Sequence, residues 1–296
     1  MYKKAFLFNG IGSKPEKLLV NLPAELREKY DLFVDAAFNR LKLNKDLEQN
    51  KGYDGKVAEW IISLICDRVV SEYYISKGII PDIGAGYSSG IVSISSCFGS
   101  VPHEFAHDMI MMNRSTMKCL DEHDEKLDMG VVIGFSYEDI SRIFENRFSP
   151  DELIIGSGNS KFHVMISGKA DAVEKALDLC QEEGALKVFS FGTGIAFHHP
   201  IMKQYSHEYV DFCSSQKYND PVYPILSIFN REVMTKGEQV MRENQLNVYT
   251  PIRWDLAVQK LEELGVDEFF DVSANGAVRK FSRVGRKCKI YTLEDV

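Results

Sequence analysis

The feature that most constrains this chain is a glycine-rich run around a serine, G-A-G-Y-S-S-G at 84–90. Within it, Ser88 is the centre of a G-x-S-x-G motif. The partly apolar segment 78–83 before it predicts a brief strand, and the small apolar residues at 91–97 after it predict a buried helix. A serine on such a strand-to-helix turn is a nucleophile elbow, in which glycines relieve crowding and the helix N-terminus faces the serine. The motif is short and also occurs in ordinary loops, so the rest of the chain must decide its meaning.

Composition excludes several classes of protein. The 296 residues are 45% hydrophobic and 26% charged, which is typical of a globular chain with one large or two small domains. The net charge is −8, so we expect no nucleic-acid partner, and because no run of 18 apolar residues occurs we expect no membrane segment. Six scattered cysteines without a C-x-x-C motif predict reduced thiols in a cytoplasmic protein.

The pattern of the chain changes after a charged linker at 121–126. Beyond it, the order of predicted elements is βαββαβ, which is the order of a ferredoxin-like unit. These elements are strands at 129–135, 152–155, 162–167 and 186–191 and helices at 137–148 and 170–183. Outside this unit, predicted strands alternate with helices, so we expect a parallel α/β sheet into which the small unit is inserted. Among these elements are helices from 102 to about 120, at 237–246 and at 252–264, and strands at 222–229 and 289–291.

A serine nucleophile needs a general base, which is usually a histidine brought close by the fold. His198 and His199 lie where the chain leaves the predicted small unit and re-enters the large one. A cleft between two such units is a common place for a substrate. Position alone leaves open which of the two histidines is a base, and whether either is more than a surface residue.

A competing motif, H-E-F-A-H at 103–107, matches the H-E-x-x-H signature of zinc proteases. In that interpretation His103 and His107 would bind zinc and Glu104 would act as the base. The nearest candidates for a third ligand are Asp108, Asp121 and His123. None of them has a recognised spacing, so a zinc metalloprotease is a remote alternative and we expect no metal.

Five short motifs occur in a defined order along nearly the whole chain. They are A-F-L-F-N-G-I-G-S at 5–13, G-Y-S-S-G at 86–90, N-R-S-T-M at 113–117, A-F-H-H-P-I-M at 196–202 and N-V-Y-T-P-I-R-W at 247–254. Together they resemble the motifs F-P-G-Q-G-S, G-H-S-x-G, R-G-x-x-M, A-F-H-S-P-L-M and P-V-x-W of the malonyl-CoA:acyl-carrier-protein transacylases and the related acyltransferases of polyketide synthases. That family also has an inserted ferredoxin-like unit. Five motifs in order are far more specific than any one of them.

The resemblance implies the catalytic residues. Ser88 would attack a thioester and carry the acyl group, and His198, not His199, would take its proton and later return it. In the family a backbone carbonyl orients this histidine, and Asn247 occupies the corresponding position in this chain. The implied catalytic set is therefore Ser88, His198 and Asn247.

The resemblance also implies how the substrate is held. The backbone N–H groups of Ser89 and Ile11 would form the oxyanion hole. Arg114 would grip the free carboxylate of a malonyl group, for which a planar guanidinium is well suited. The chain departs from the family's motifs at several positions, which put the acyl substrate in doubt more than the reaction type. The departures are Tyr87, Ile91, Ile11 and His163.

A basic run near the C-terminus stands out in an acidic chain. Its members are Arg279, Lys280, Arg283, Arg286, Lys287 and Lys289. Basic surfaces steer acidic carrier proteins, although such a run is equally typical of a solvated face.

The sequence therefore predicts a cytoplasmic serine acyltransferase with an α/β-hydrolase-like large subdomain at 1–126 and 196–296 and a ferredoxin-like small subdomain at 127–195. It would move malonyl from malonyl-CoA to the phosphopantetheine thiol of an acyl carrier protein through an acyl-enzyme, in fatty-acid or polyketide synthesis. We expect no cofactor beyond the coenzyme A thioester, which is a substrate. Two alternatives stay open: a hydrolase that clears misacylated carrier proteins, against which Arg114 argues, and a non-catalytic carrier-protein-binding module.

Overall fold

The structure, a computed structural model, describes residues 2–10 and 22–296. Its strands belong to two sheets. In chain order they are β1 (Lys4–Phe8), β2 (Ile83–Gly86), β3 (Leu127–Ile133), β4 (Leu153–Ser160), β5 (His163–Lys169), β6 (Lys187–Ser190), β7 (Ile225–Leu226), β8 (Val233–Met234), β9 (Ile252–Arg253), β10 (Glu268–Asp271) and β11 (Lys289–Tyr291). The larger sheet has the order β11-β10-β1-β2-β7-β8 and the smaller one β6-β3-β5-β4-β9.

The helices alternate with these strands. They are α1 (Ala24–Leu41), α2 (Tyr53–Ser76), α3 (Gly90–Cys97), α4 (His103–Met111), α5 (Asn113–Glu122), α6 (Tyr137–Phe144), α7 (Ala170–Glu182), α8 (His207–Ser214), α9 (Gly237–Leu246), α10 (Trp254–Glu263) and α11 (Ala277–Phe281). None of the described helices is both long and apolar enough to cross a membrane. The predicted α/β class is confirmed.

The larger sheet is parallel, except where β8 pairs antiparallel with β7. Its central strand β1 is buried on both faces, as expected for a parallel sheet covered by helices. Phe6 and Phe8 face the cluster that includes the apolar side of α2, whereas Ala5 and Leu7 face the cluster that includes α10. The carboxyl ends of β1 and β2 lie side by side at one edge of this sheet, which is where parallel sheets place their ligands.

The smaller sheet is antiparallel apart from β9, which joins it in parallel beside β4. Elements β3-α6-β4-β5-α7-β6 follow the expected βαββαβ order and enclose an apolar cluster of their own, made of residues between Val132 and Ala185. We propose on this ground that 127–195 is a small subdomain, as the sequence predicts. One strand of its sheet, β9, comes from the chain outside that range.

Several predicted elements are shorter or divided. The helix expected from Pro102 to about Leu120 is two helices, since Asn113 Nδ2 and Ser115 Oγ bond carbonyls of the preceding turn. The strand expected at 222–229 is reduced to β7, because Pro221 and Pro224 lack the N–H that a strand donates. The start of the helix expected at 252–264 is strand β9, because Ile252 and Arg253 pair with β4.

Candidate active site

Ser88 lies on a sharp turn between β2 and α3. Its φ is +52°, a left-handed conformation that non-glycine residues rarely adopt. The flanking glycines make the turn possible. A Cβ on Gly86 would lie 2.4 Å from the backbone nitrogen of Ile91, and a Cβ on Gly90 would lie 2.5 Å from the carbonyl oxygen of Phe8. The G-x-S-x-G spacing is therefore a steric requirement of this turn.

The chain after β1 also reaches Ser88. The backbone N–H of Tyr87 donates to the Phe8 carbonyl over 2.9 Å, and a Cβ on Gly10 would lie 3.0 Å from the Cβ of Ser88. The next residue, Ile11, was predicted to donate to the oxyanion, and it lies outside the described residues. Ser89, the other predicted donor, directly precedes α3 and is buried beside the serine.

His198 comes to Ser88 from the segment after the small sheet. Its Nε2 is 2.7 Å from Ser88 Oγ, and the residue is 1% exposed. Two hydrogen bonds hold the backbone of this segment. The His198 N–H donates to the Val248 carbonyl over 2.8 Å, and the Ser167 hydroxyl of β5 donates to the Phe197 carbonyl over 2.8 Å. The histidine therefore sits at the junction of the two sheets.

The carbonyl that orients His198 is not the one predicted. Nδ1 of His198 lies 3.2 Å from the carbonyl oxygen of Thr250, three residues beyond Asn247. Because a carbonyl only accepts, Nδ1 carries the proton and Nε2 is left to accept from the Ser88 hydroxyl. Asn247 instead lines the pocket beside the dyad, where its Oδ1 is buried without a hydrogen-bond partner among the described residues.

Burial decides the protonation state of His198. Desolvation lowers its pKa from 6.5 to about 4, and the Thr250 carbonyl opposes this only in part. At neutral pH the imidazole is therefore uncharged and can accept a proton, which is the state that a general base requires.

A narrow pocket opens beside the Ser88–His198 pair. Its walls are mostly apolar or aromatic, with two uncharged amides, those of Asn113 and Asn247. The other described residues of the walls are Ser89, Val92, Ile110, Phe197, Tyr209 and Val248. This is the space next to the nucleophile in which an acyl group would lie.

Arg114, which was predicted to bind the carboxylate, is not among the described residues that line this pocket. Its Nε lies 2.7 Å from Asp54 Oδ1 at the start of α2, and its side chain is 34% exposed. The physical reason is helix geometry, because consecutive side chains point about 100° apart. On α5, Asn113 shares the buried face with Thr116 and Met117, and Arg114 does not.

His199, His103 and His107 lie in other surroundings than His198. His199 Nδ1 accepts the backbone N–H of Ile201 over 3.0 Å, and His199 begins the turn at Pro200–Gln204. It is not among the described residues that line the pocket beside Ser88. Burial lowers the pKa of His103 to about 4 and that of His107 to about 3. The residues at 2–10 and 22–296 contain no group of three or more His, Cys, Asp or Glu arranged to hold a metal. Asp108, a candidate third ligand, pairs with Arg40.

Two of the departures from the family's motifs lie together outside the pocket. Tyr87 is buried, with its ring centroid 5.5 Å from that of Trp254 and 4.7 Å from that of Phe281. His163 lies 6.1 Å from the same Phe281 ring. A third departure, Ile91, is buried in the core. None of these three side chains is among the described residues that line the pocket beside Ser88.

Sequence reasoning missed Thr250 and Asn113. Thr250 acts through its backbone, so no side-chain signal distinguishes it. Asn113 does have a signal, since Asn113, Thr116, Met117 and Leu120 follow the i, i+3, i+4, i+7 spacing of a buried helix face. That spacing excludes Arg114 from the same face.

Comparison with known proteins gives relatives along the whole chain. No family model matches. A malonyl CoA-acyl carrier protein transacylase of Bacillus subtilis is 25% identical, covering 100% of this chain and 94% of that protein. One of Haemophilus influenzae is 25% identical over 90% of this chain and 86% of that protein. These relatives confirm the resemblance that the five motifs indicated.

Solved structures of similar proteins share the fold. A malonyl CoA-acyl carrier protein transacylase of Coxiella burnetii superposes with a TM-score of 0.83 at 20% identity, covering 98% of this chain and 93% of that one. A malonyl-transacylase solved in complex with a type II polyketide synthase acyl-carrier protein has a TM-score of 0.83 at 19% identity, with 99% and 96% covered. At such identities the likeness shows the fold alone.

Proposed function

We propose that this relative of the malonyl-CoA:acyl carrier protein transacylases is itself a serine acyltransferase, which moves malonyl from coenzyme A to the phosphopantetheine thiol of an acyl carrier protein. The observation that carries the proposal is the 2.7 Å contact between Ser88 Oγ and His198 Nε2, with Nδ1 on the Thr250 carbonyl. The relatives' names supply the malonyl group and the carrier protein.

In the first half-reaction, Ser88 Oγ bonds to the thioester carbonyl carbon while its proton passes to Nε2 of His198. The tetrahedral oxyanion would be stabilised by the backbone N–H of Ser89, at the start of α3, and by that of Ile11. Collapse of the intermediate breaks the C–S bond, and the leaving coenzyme A sulfur takes the proton from Nε2. The product is an acyl ester on Ser88.

In the second half-reaction the phosphopantetheine thiol takes the place that coenzyme A has left. Its proton passes to the uncharged Nε2 of His198 as its sulfur attacks the ester carbonyl, and collapse returns the acyl group to a thioester and the proton to Ser88. A histidine whose pKa is lowered to about 4 is unprotonated at the start of both halves. The Ser88–His198 pair can therefore act in both half-reactions, and the reaction needs no cofactor beyond the coenzyme A thioester as substrate.

A basic surface near the elbow supports the proposed carrier-protein partner. Arg279, Lys280 and Arg283 line an open depression that also includes Glu294, and Arg279 pairs with Asp295. Phe281, between these basic residues, packs on Tyr87, next to Ser88. An acidic carrier protein would be attracted to such a face. We also propose a cytoplasmic location, because the six cysteines are all free, as a reducing compartment keeps them.

One observation favours a second candidate, hydrolysis of acyl groups from carrier proteins. The sequence argument against a hydrolase was Arg114 as a carboxylate clamp, and Arg114 does not line the pocket. In that reaction water, not a thiol, would attack the ester on Ser88.

Intact mass after incubation with malonyl-CoA tests the proposal. The wild type should gain one malonyl group, Ser88→Ala should gain none, and later addition of phosphopantetheinylated carrier protein should move the mass to the carrier. Equal labelling of both proteins would contradict the role of Ser88. Loss of the label without a labelled carrier would favour the hydrolase.

A further inference from the structure

The walls of the acyl pocket carry no formal charge at neutral pH among the described residues. Besides Ser88 and Ser89, they consist of apolar and aromatic side chains, the amides of Asn113 and Asn247, and His198, which burial keeps neutral. A carboxylate that entered this space would lose its hydration without meeting a cation there. An uncharged acyl group would lose much less.

Arg114, which follows Asn113 in the chain, forms an ion pair away from this pocket. Arg114 pairs with Asp54, and both side chains are partly exposed, at 34% and 43%. The Nε atom that makes this ion pair is itself buried. The pair links α5 to the start of α2, and neither Arg114 nor Asp54 is among the described residues that line the pocket beside Ser88.

Asn113 is the residue of α5 that the acyl group would meet. It is 5% exposed, and its Nδ2 donates to the Ile110 carbonyl over 3.0 Å, which fixes the amide at the pocket wall. Asn247 adds a second amide whose Oδ1 has no partner among the described residues. An amide acceptor suits an uncharged or hydrogen-bond-donating group better than an anion.

We infer that Asn113, and not Arg114, is the specificity-determining residue of α5, and that the pocket accepts uncharged acyl groups such as acetyl at least as readily as malonyl. This inference rests on the proposed acyl-enzyme chemistry at Ser88. It adds that charge does not select malonyl in this chain, so specificity comes from the size and polarity of the pocket.

The test compares acylation of Ser88 by malonyl-CoA and by acetyl-CoA in the wild type, Arg114→Ala and Asn113→Arg. The quantity compared is the kcat/KM of the acylation step, followed by intact mass in single-turnover experiments. The wild type should favour malonyl-CoA over acetyl-CoA by no more than about 10-fold, since no charge-assisted contact favours malonyl. Arg114→Ala, the matched control from the adjacent position, should leave the ratio within about 3-fold of wild type. Asn113→Arg places a guanidinium at the pocket wall and should raise the malonyl-to-acetyl ratio by about 10-fold or more.

The outcomes separate the two proposals. A wild type that prefers malonyl by more than about 10-fold, or an Arg114→Ala ratio that falls by more than about 3-fold, would overturn the inference while leaving acyl transfer intact. Failure of both malonyl-CoA and acetyl-CoA to acylate wild-type Ser88 would contradict the proposed function itself. If Asn113→Arg does not fold, the wild-type ratio and Arg114→Ala still decide, because both are expected to fold.

Discussion

The two halves of the proposed catalytic pair, Ser88 and His198, are held in different ways. On the serine side, Gly86 leaves room for the backbone of Gly90 and Ile91 within the turn, and Gly90 leaves room for the end of β1. On the histidine side, the contacts of His198 come from residues 50 and 52 positions later and from β5. The proposed nucleophile thus lies on a turn within one parallel sheet, whereas the proposed base is positioned where two sheets meet.

This difference has a consequence for mutation. A change on the serine side should act sterically on the turn itself. A change on the histidine side should act by displacing the imidazole, and its size should follow how directly the residue contacts His198. The following predictions sharpen that comparison, from the largest effect to the smallest.

His198→Ala should lower the rate of Ser88 acylation by about 10²- to 10⁴-fold, because it removes the general base. His199→Ala is the matched control and should retain most of the activity, since His199 is not among the described residues that line the pocket beside Ser88. Stopped-flow release of coenzyme A measures both. The reverse order of the two variants would show that the base has been assigned to the wrong histidine.

Gly90→Ala should damage the serine side, because the new Cβ would lie 2.5 Å from the Phe8 carbonyl oxygen and 2.7 Å from that of Asn9. We expect about 1–3 kcal/mol loss of unfolding free energy, as for overpacking in a close-packed interior. Chemical denaturation measures this. Gly55→Ala, in the first turn of α2 with no contact shorter than 3.3 Å, is the control and should change stability less. Equal losses in both would contradict the steric account of the elbow.

Ser167→Ala should loosen the position of His198 indirectly, because the Ser167 hydroxyl holds the carbonyl of the preceding residue, Phe197, over 2.8 Å. Loss of one buried hydrogen bond is worth about 1 kcal/mol, so kcat should fall by about 5-fold. KM for the acyl-CoA should change little, since Ser167 is not among the described pocket residues. A rise in KM alone would assign Ser167 to substrate binding instead.

The smallest effect is expected from pH. Burial lowers the folded-state pKa of His198 to about 4, so the base remains neutral from pH 7 to pH 5 and acylation should vary less than about 2-fold there. The same shift stabilises the fold above the unfolded pKa of 6.5, and this contribution is lost as the pH falls through 4. A pH–rate profile with circular dichroism at each point measures both. Half-loss of activity near pH 6.5 in folded protein would contradict the burial argument.

Much of the fold could be predicted because it follows periodic patterns. Strand β11 and helix α9 have the predicted bounds, and the βαββαβ order of the small sheet agrees with the prediction. The misplaced elements are those that depend on partners. Strand β9 was predicted as the start of a helix, and only pairing with β4 makes it a strand.

The sequence by itself determined the α/β class, the elbow around Ser88 and the family resemblance, because glycine spacing and apolar periodicity act through local sterics and burial. Only the tertiary structure decided that Thr250, not Asn247, faces His198, and that Asn113, not Arg114, faces the acyl pocket. The first depends on a backbone carbonyl, which every residue has, so side-chain identity does not reveal it. The second depends on a rotation of about 100° between consecutive helix residues, which a motif read as a string does not contain.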